Sequence, residues 1–262
     1  MNRIITLTTD FGLSDGFVGM MKGVMLGINP NATIVDITHD ITPQNIEQGA
    51  FLFANAFRYF PVNTIHVVIV DPGVGSARRP IAAQTGETIF VAPDNGVLTM
   101  ALESLKPLPR VVHLNRAEYW RARVSHTFHG RDLFAPVAAH LSLGVPLESL
   151  GDPVNDWVRL SNYLAVWRAG NEIVGRIVHI DRFGNAITNI GEEMVMAMNR
   201  TQVEVSVRGK MLHGIRSTYA MVRQGEAIAL ISSSGHLEIG VREGNAAQVL
   251  GLRLGDEVLV RS

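Results

Sequence analysis

Four short segments carry side chains able to do chemistry, and each falls where the chain turns. In "TTDFGLSDG", Asp10 and Asp15 follow an apolar run. A carboxylate has enough lone pairs to accept from both hydroxyls of a vicinal diol, as a ribose presents. Helix capping and a simple turn are the plainer uses of the same residues. In "VVIVDPGVGSARRP", Asp71 follows four branched apolar residues, a short loop ahead of Arg78 and Arg79. A buried strand of a parallel sheet reads this way, and ligands bind beyond the carboxyl ends of such strands. Asp71 could also do no more than close a Pro-Gly turn. "HTFHGRD" packs His126, His129, Arg131 and Asp132 together. Its H-x-x-H spacing invites a zinc reading, but helical zinc pairs lie four apart with a Glu between them. With no third ligand motif, no metal is expected. His129 precedes Gly130, where backbone can approach a ligand closely, and is the stronger candidate of the two histidines.

The fourth segment, "HIDRFGNAITNI", gathers Asp181, Phe183 and Asn185 around one turn: an anion, a ring face and an amide. An amide can read the donor and acceptor edge of adenine. A tight turn alone would explain Gly184. Tyr219 in "STYAMV" offers a flat ring for stacking or for core. "SSSGHLEIGVREGNAA" is a hydroxyl- and glycine-rich turn that by itself says little.

These segments need elements to hold them. "RIITLTTDFG", "TIVDITHD", "TIHVVIV" and "TIFVAPDNG" read as strands. "SDGFVGMMKGVMLGINPN" has helical spacing, with Phe17, Met21, Val24 and Met25 along one face. "TPQNIEQGAFLFANAFRYFP" reads as a helix capped by Thr42, and "DLFAPVAAHLSLG" as one that tolerates Pro136 only in its first turn. Strand and helix in alternation predict an α/β domain over 1–166, a mostly parallel sheet flanked by helices. Past that point "EIVGRIVHID", "AITNI", "QVEVSVRG", "EAIALISS", "HLEIGVR" and "DEVLVRS" are short β-rich runs. They predict a small all-β, barrel-like domain over 167–262.

The 262 residues carry a formal net charge of −1 and 47% apolar residues. The balance argues against a nucleic-acid partner, which calls for a basic stripe. No apolar run reaches the length of a membrane span, and Asp10 interrupts the first one, so no membrane association and a cytoplasmic location are expected. There are no cysteines, which excludes disulfides and thiolate chemistry. "GVGSAR" lacks the spacing of a dinucleotide fingerprint.

"TTDFG", "VDPGVG", "APDNG", "TFHGRD", "DRFGNAITNI" and "SSGHLEI" occur in an order that resembles the S-adenosylmethionine (SAM) hydroxide adenosyltransferases, the SAM hydrolases related to fluorinase and chlorinase. Each motif alone is weak; six in order are specific. The resemblance implies hydrolysis of SAM to adenosine and methionine, with SAM as substrate, no cofactor, and a homotrimer whose sites lie between subunits. It implies a catalytic set of Asp71, Arg78 and His129. Halogenases of the family carry a tyrosine at the Asp71 position and differ at His129, so the chain resembles the water-using branch. The resemblance puts Asp10 on the ribose hydroxyls, Asp15 and Asp181 near the methionine amino group, and Phe183, Asn185 and Tyr219 around adenine, with Ser233 also binding substrate. Ser234 stands where halogenases have an arginine, so no arginine clamp on the methionine carboxylate is implied there.

Sulfonium is already a good leaving group, so the site need supply only an oriented water, a proton acceptor and a pocket for in-line attack at ribose C5′. Asp71 or His129 could be that acceptor. A SAM-dependent halogenase, a non-catalytic SAM- or adenosine-binding protein and a metal-dependent phosphoesterase are the alternatives.

Overall fold

The computed structural model describes residues 3–169, 171–198 and 202–261. The chain divides into two compact units, 1–160 and 161–262.

The first unit contains strands β1 (Ile4–Thr9), β2 (Thr33–Thr38), β3 (Ile65–Ile69), β4 (Pro80–Thr85), β5 (Thr88–Pro93), β6 (Arg110–Leu114) and β7 (Gly151–Pro153). Its helices are α1 (Phe17–Ile28), α2 (Ile46–Ala56), α3 (Thr99–Glu103) and α4 (Ala135–Ser142). The seven strands lie in the order β2-β1-β3-β5-β4-β6-β7. The sheet is mixed, where the sequence suggested a mostly parallel one. The β1–β2, β1–β3 and β3–β5 pairs are parallel, and the β4–β5, β4–β6 and β6–β7 pairs are antiparallel. The physical cause is the hairpin between β4 and β5, which sends β4 back along its neighbour.

Strand β3 shows why its sequence is apolar throughout. Ile65, Val67 and Ile69 pack into a cluster with Met21, Met25 and Ala138, from α1 and α4. Val68 and the following Val70 pack on the other face with Phe53 and Leu102, from α2 and α3. Both faces are covered, so both must be apolar. Each fully buried branched side chain contributes roughly 1.5–3 kcal/mol.

Helix α2 is capped by Asn45, whose side chain accepts from Gln48 N at 3.0 Å. Thr42, the cap expected from sequence, instead donates its N–H to Gln48 Oε1 at 2.7 Å. Pro136 lies in the first turn of α4, after a π-helical turn over Gly130–Phe134. The wider turn lets Asp132 and Phe134 enter the core together.

The second unit is built from β8 (Val166–Arg168), β9 (Glu172–Ile180), β10 (Ala186–Gly191), β11 (Glu204–Val207), β12 (Lys210–His213), β13 (Ala227–Ile231), β14 (His236–Val241) and β15 (Glu257–Arg261), with short helices α5 (Glu192–Met196) and α6 (Ala246–Leu250). Its pairings are antiparallel, in the order β12-β11-β15-β9-β10-β14-β13, with β8 beside β9. End strands β12 and β13 approach each other, so the sheet nearly closes into a barrel. Ile173, Val205, Leu237 and Val260 fill its interior.

Candidate active site

Asp10 and Asp71 follow adjacent parallel strands whose last paired residues include Thr9 and Ile69. Both carboxylates therefore emerge at the carboxyl end of the sheet, where open α/β sheets bind ligands. Asp10 Oδ2 accepts from Gln44 N at 2.7 Å. Asp15 is exposed on the turn leading into α1.

Asp71, Arg78 and His129 form one cluster. Arg78 Nε lies 3.0 Å from each oxygen of Asp71, and Nη2 also meets Oδ2. The same Nη2 lies 2.9 Å from His129 Nδ1. The guanidinium sits over the Phe134 ring, 5.3 Å from its centroid. A guanidinium is a donor only, so Nδ1 must accept and the neutral ring carries its hydrogen on Nε2. Burial, and then the nearby Arg78 charge, hold the His129 pKa below the ordinary histidine value.

This cluster borders a cavity of about 120 Å³ lined by Phe11, Phe17, Ile69, Val74, Phe128 and Gly130 together with Asp71, Thr127 and His129. Phe17 meets Phe128 edge-to-face at 5.1 Å, and Phe11 contacts both rings at 6.0 Å. An apolar wall with a few converging polar groups is the usual make-up of a small-molecule site.

The His129 segment is held by Asp132, which is fully buried. Its carboxylate accepts from Arg131, Arg121 and the Ser125 N–H at 2.7–2.9 Å. Burial works to raise its pKa, but these bonds win and hold it at about 2. His126 is exposed, and its carbonyl oxygen faces Gly75, where a Cβ would overlap it.

In the second unit, Asp181 organises its own turn. Oδ1 accepts the N–H groups of Phe183 and Asn185 at 2.9 and 2.8 Å, and Oδ2 accepts Asn185 Nδ2 at 3.0 Å. Three of the roughly four acceptor positions of a carboxylate are thereby used. Phe183 stands 75% exposed. Tyr219 donates its hydroxyl to the buried Glu238, and burial followed by that carboxylate pushes the phenol pKa well up. Gly240 has no side chain in the way of the Tyr219 ring edge and the Asn185 amide, both of which a Cβ would crowd. Ser233 is exposed in a turn where Ser232 and Ser234 share a 2.8 Å hydroxyl contact. Among the described residues, no group of three or more His, Asp or Glu comes together that could hold a metal ion, and no helix is long and apolar enough to cross a membrane.

The N-terminal domain of the SAM hydroxide adenosyltransferases matches residues 5–151, and the C-terminal domain matches residues 175–259. The chain belongs to the SAM hydroxide adenosyltransferase family. An "(R)-S-adenosyl-L-methionine hydrolase" of Salinispora tropica is 37% identical over 259 residues, covering 98% of this chain and 97% of the relative. A "Fluorinase" of an Actinoplanes species is 29% identical over 291 residues, covering 99% and 97%. The crystal structure of an uncharacterised conserved protein from Thermotoga maritima superposes with a TM-score of 0.91 at 37% identity, covering 98% of this chain and 100% of that one.

Of the site residues expected in this adenosyltransferase chain, Arg78 contacts both Asp71 and His129, and Asp181 is in contact with Asn185. Asp10 and Asp15 belong to the first unit, and Phe183, Tyr219 and Ser233 to the second. Sequence reasoning did not single out the cavity walls Phe11, Phe17 and Phe128, nor the acceptor Glu238. The phenylalanines flank motif aspartates and histidines in "TDFG", "DGF" and "TFHG", and that adjacency is the signal that could have found them.

Proposed function

We propose that this adenosyltransferase hydrolyses SAM to adenosine and L-methionine by in-line attack of water at ribose C5′. The new C5′–O bond forms as the C5′–S bond breaks, and the sulfur keeps the electron pair and leaves as neutral methionine. One proton is released from the attacking water. The observation that carries the reading is the contact of Asp71, Arg78 and His129 at the edge of a largely apolar cavity.

In this reading Asp71 takes the proton. His129 Nδ1 is engaged by Arg78, which leaves an Nε2–H able to donate to the water oxygen and orient it. Arg78 orients both partners. Asp10 binds the ribose hydroxyls, and Asp15 and Asp181 lie near the methionine amino group. Phe183, Asn185 and Tyr219 surround adenine, with Ser233 in the substrate-binding set. These second-unit residues are supplied by a neighbouring copy in a homotrimer that works in the cytoplasm without a cofactor. The identity to proteins named SAM hydrolases over nearly the whole chain supports the same reaction.

Incubation with SAM in ¹⁸O-labelled water, with chelator present, tests the proposal. Label should enter the 5′-hydroxyl of adenosine. A 5′-halo-5′-deoxyadenosine as the main product at physiological chloride would overturn it.

A further inference from the structure

The segment 71–79 carries both Asp71 and Arg78, and it is gripped at its two ends by consecutive residues of one turn. At the entry, Asn95 Nδ2 donates to Val70 O at 2.8 Å. The β3–β5 ladder pairs Val67 with Val91 and stops there, so this side-chain bond extends the strand contact to the residue before Asp71. Asn95 is itself fixed, since its Oδ1 accepts from Val97 N at 3.2 Å. At the exit, Asp94 N donates to Arg79 O at 2.8 Å. The Asp94 carboxylate accepts from Arg79 Nε at 2.8 Å and from Val158 N at 2.7 Å. Asp94 is buried, and Arg79 Nη1 continues to Asp156 at 2.8 Å.

We infer that the Asp94–Asn95 turn is the positioning device for the Asp71–Arg78 pair, setting where the carboxylate and guanidinium stand relative to His129. Neither residue borders the cavity, so both act through others. The middle of the segment is held separately, because Gly75 lies against the His126 carbonyl with no room for a Cβ. Gly75 has φ +77°, a conformation that glycine adopts without strain. A loop held at both ends and once in the middle keeps its side chains in register, and displacements near 1 Å cost about 10²-fold in rate. The inference rests on the proposed roles of Asp71 and Arg78.

Asn95→Asp is the discriminating variant. It keeps the oxygen that Val97 N–H needs and replaces the donor to Val70 with a second acceptor. Its kcat should fall by about 10–10²-fold with SAM affinity little changed. The ¹⁵N shifts of His129 should move as the ring loses its Arg78 contact. Asp94→Asn, which keeps the backbone bond to Arg79, should give a smaller change of the same kind. Phe57→Leu, in the core under α2, should lower the melting temperature without changing kcat per folded molecule or the His129 shifts. Wild-type kcat and His129 shifts in Asn95→Asp would overturn the inference. Asp71→Asn run in parallel separates the two readings. If it turns over SAM at the wild-type rate while Asn95→Asp still moves the His129 signal, the clasp stands and the catalytic assignment falls.

Discussion

Arg78 and Asp71 meet with both side chains nearly out of solvent, 9% and 5% exposed. A buried charge stripped of its partner costs about 3–5 kcal/mol, so the two residues must be tested by replacements that keep shape. Asp71→Asn should leave SAM binding nearly intact while lowering kcat by about 10²–10⁴-fold, the usual contribution of a placed general base. Steady-state kinetics beside calorimetric binding checks it, and wild-type turnover would return Asp71 to the role of closing its turn.

Arg78→Lys should be harmful but milder. An ammonium cannot contact both Asp71 oxygens and His129 Nδ1 in the planar geometry a guanidinium provides. The split between kcat and KM is the measurement. A rise in KM with unchanged kcat would show that Arg78 serves binding alone.

The His129 contact sets a pH expectation. Its pKa is lowered in the folded protein, so the ring is neutral at pH 7 with Nδ1 accepting from Arg78. Acid protonates Nδ1 and breaks that contact. The acid limb of kcat that belongs to this ring should therefore fall below pH 6.5, the ordinary histidine value. A pH–rate profile compared with that of His129→Asn checks it; a limb above 6.5 that vanishes in the variant would contradict the orientation assigned to the ring.

His66 makes a separate prediction for stability. It is 1% exposed, stacks on Phe90 at 5.5 Å, and its Nδ1 lies 2.7 Å from Thr6 Oγ1. Burial lowers its pKa to about 4, against about 6.5 unfolded. The folded state thus binds fewer protons in that window. The contribution is complete above pH 6.5 and is lost as pH falls toward 4, by roughly 3 kcal/mol in all. Urea midpoints at pH 7.5 and 4.5 should drop more for wild type than for His66→Phe.

The proposed sharing of sites between subunits predicts that mixing Asp71→Asn with Asn185→Ala under subunit exchange restores part of the activity, since one residue belongs to the first unit and the other to the second. A fully active monomer at working concentration would exclude shared sites.

Much of this was legible in the chain, for reasons that can be named. The β3 run was readable because covered faces demand unbroken apolar sequence, and its terminal Asp71 then stood out. β4 was not readable: "PIAAQT" opens on proline and holds two alanines, both poor strand formers, yet it is the strand that runs against both its neighbours, β5 and β6. Asp71, Arg78 and His129 were each visible as types, but the Arg78–His129 contact spans 51 positions and leaves no local periodicity. Thr42 and Asn45 are both good caps, and only the side-chain geometry chose Asn45. Asp94 and Asn95 read only as the end of the "TIFVAPDNG" strand, because apart from the Arg79 guanidinium their partners are backbone groups, which have no letter in a sequence.

The β4–β5 hairpin has a practical consequence. β5 runs parallel to β3, so its first residue, Thr88, lies at the end of the sheet opposite Asp71. The tip, Gly86 and Glu87, is exposed, and Gly86 takes a φ of +58°. A dye, an affinity tag or a linker to a solid support inserted between those two residues would project from the far side of its unit. The enzyme could then be immobilised with its chemistry facing the solution.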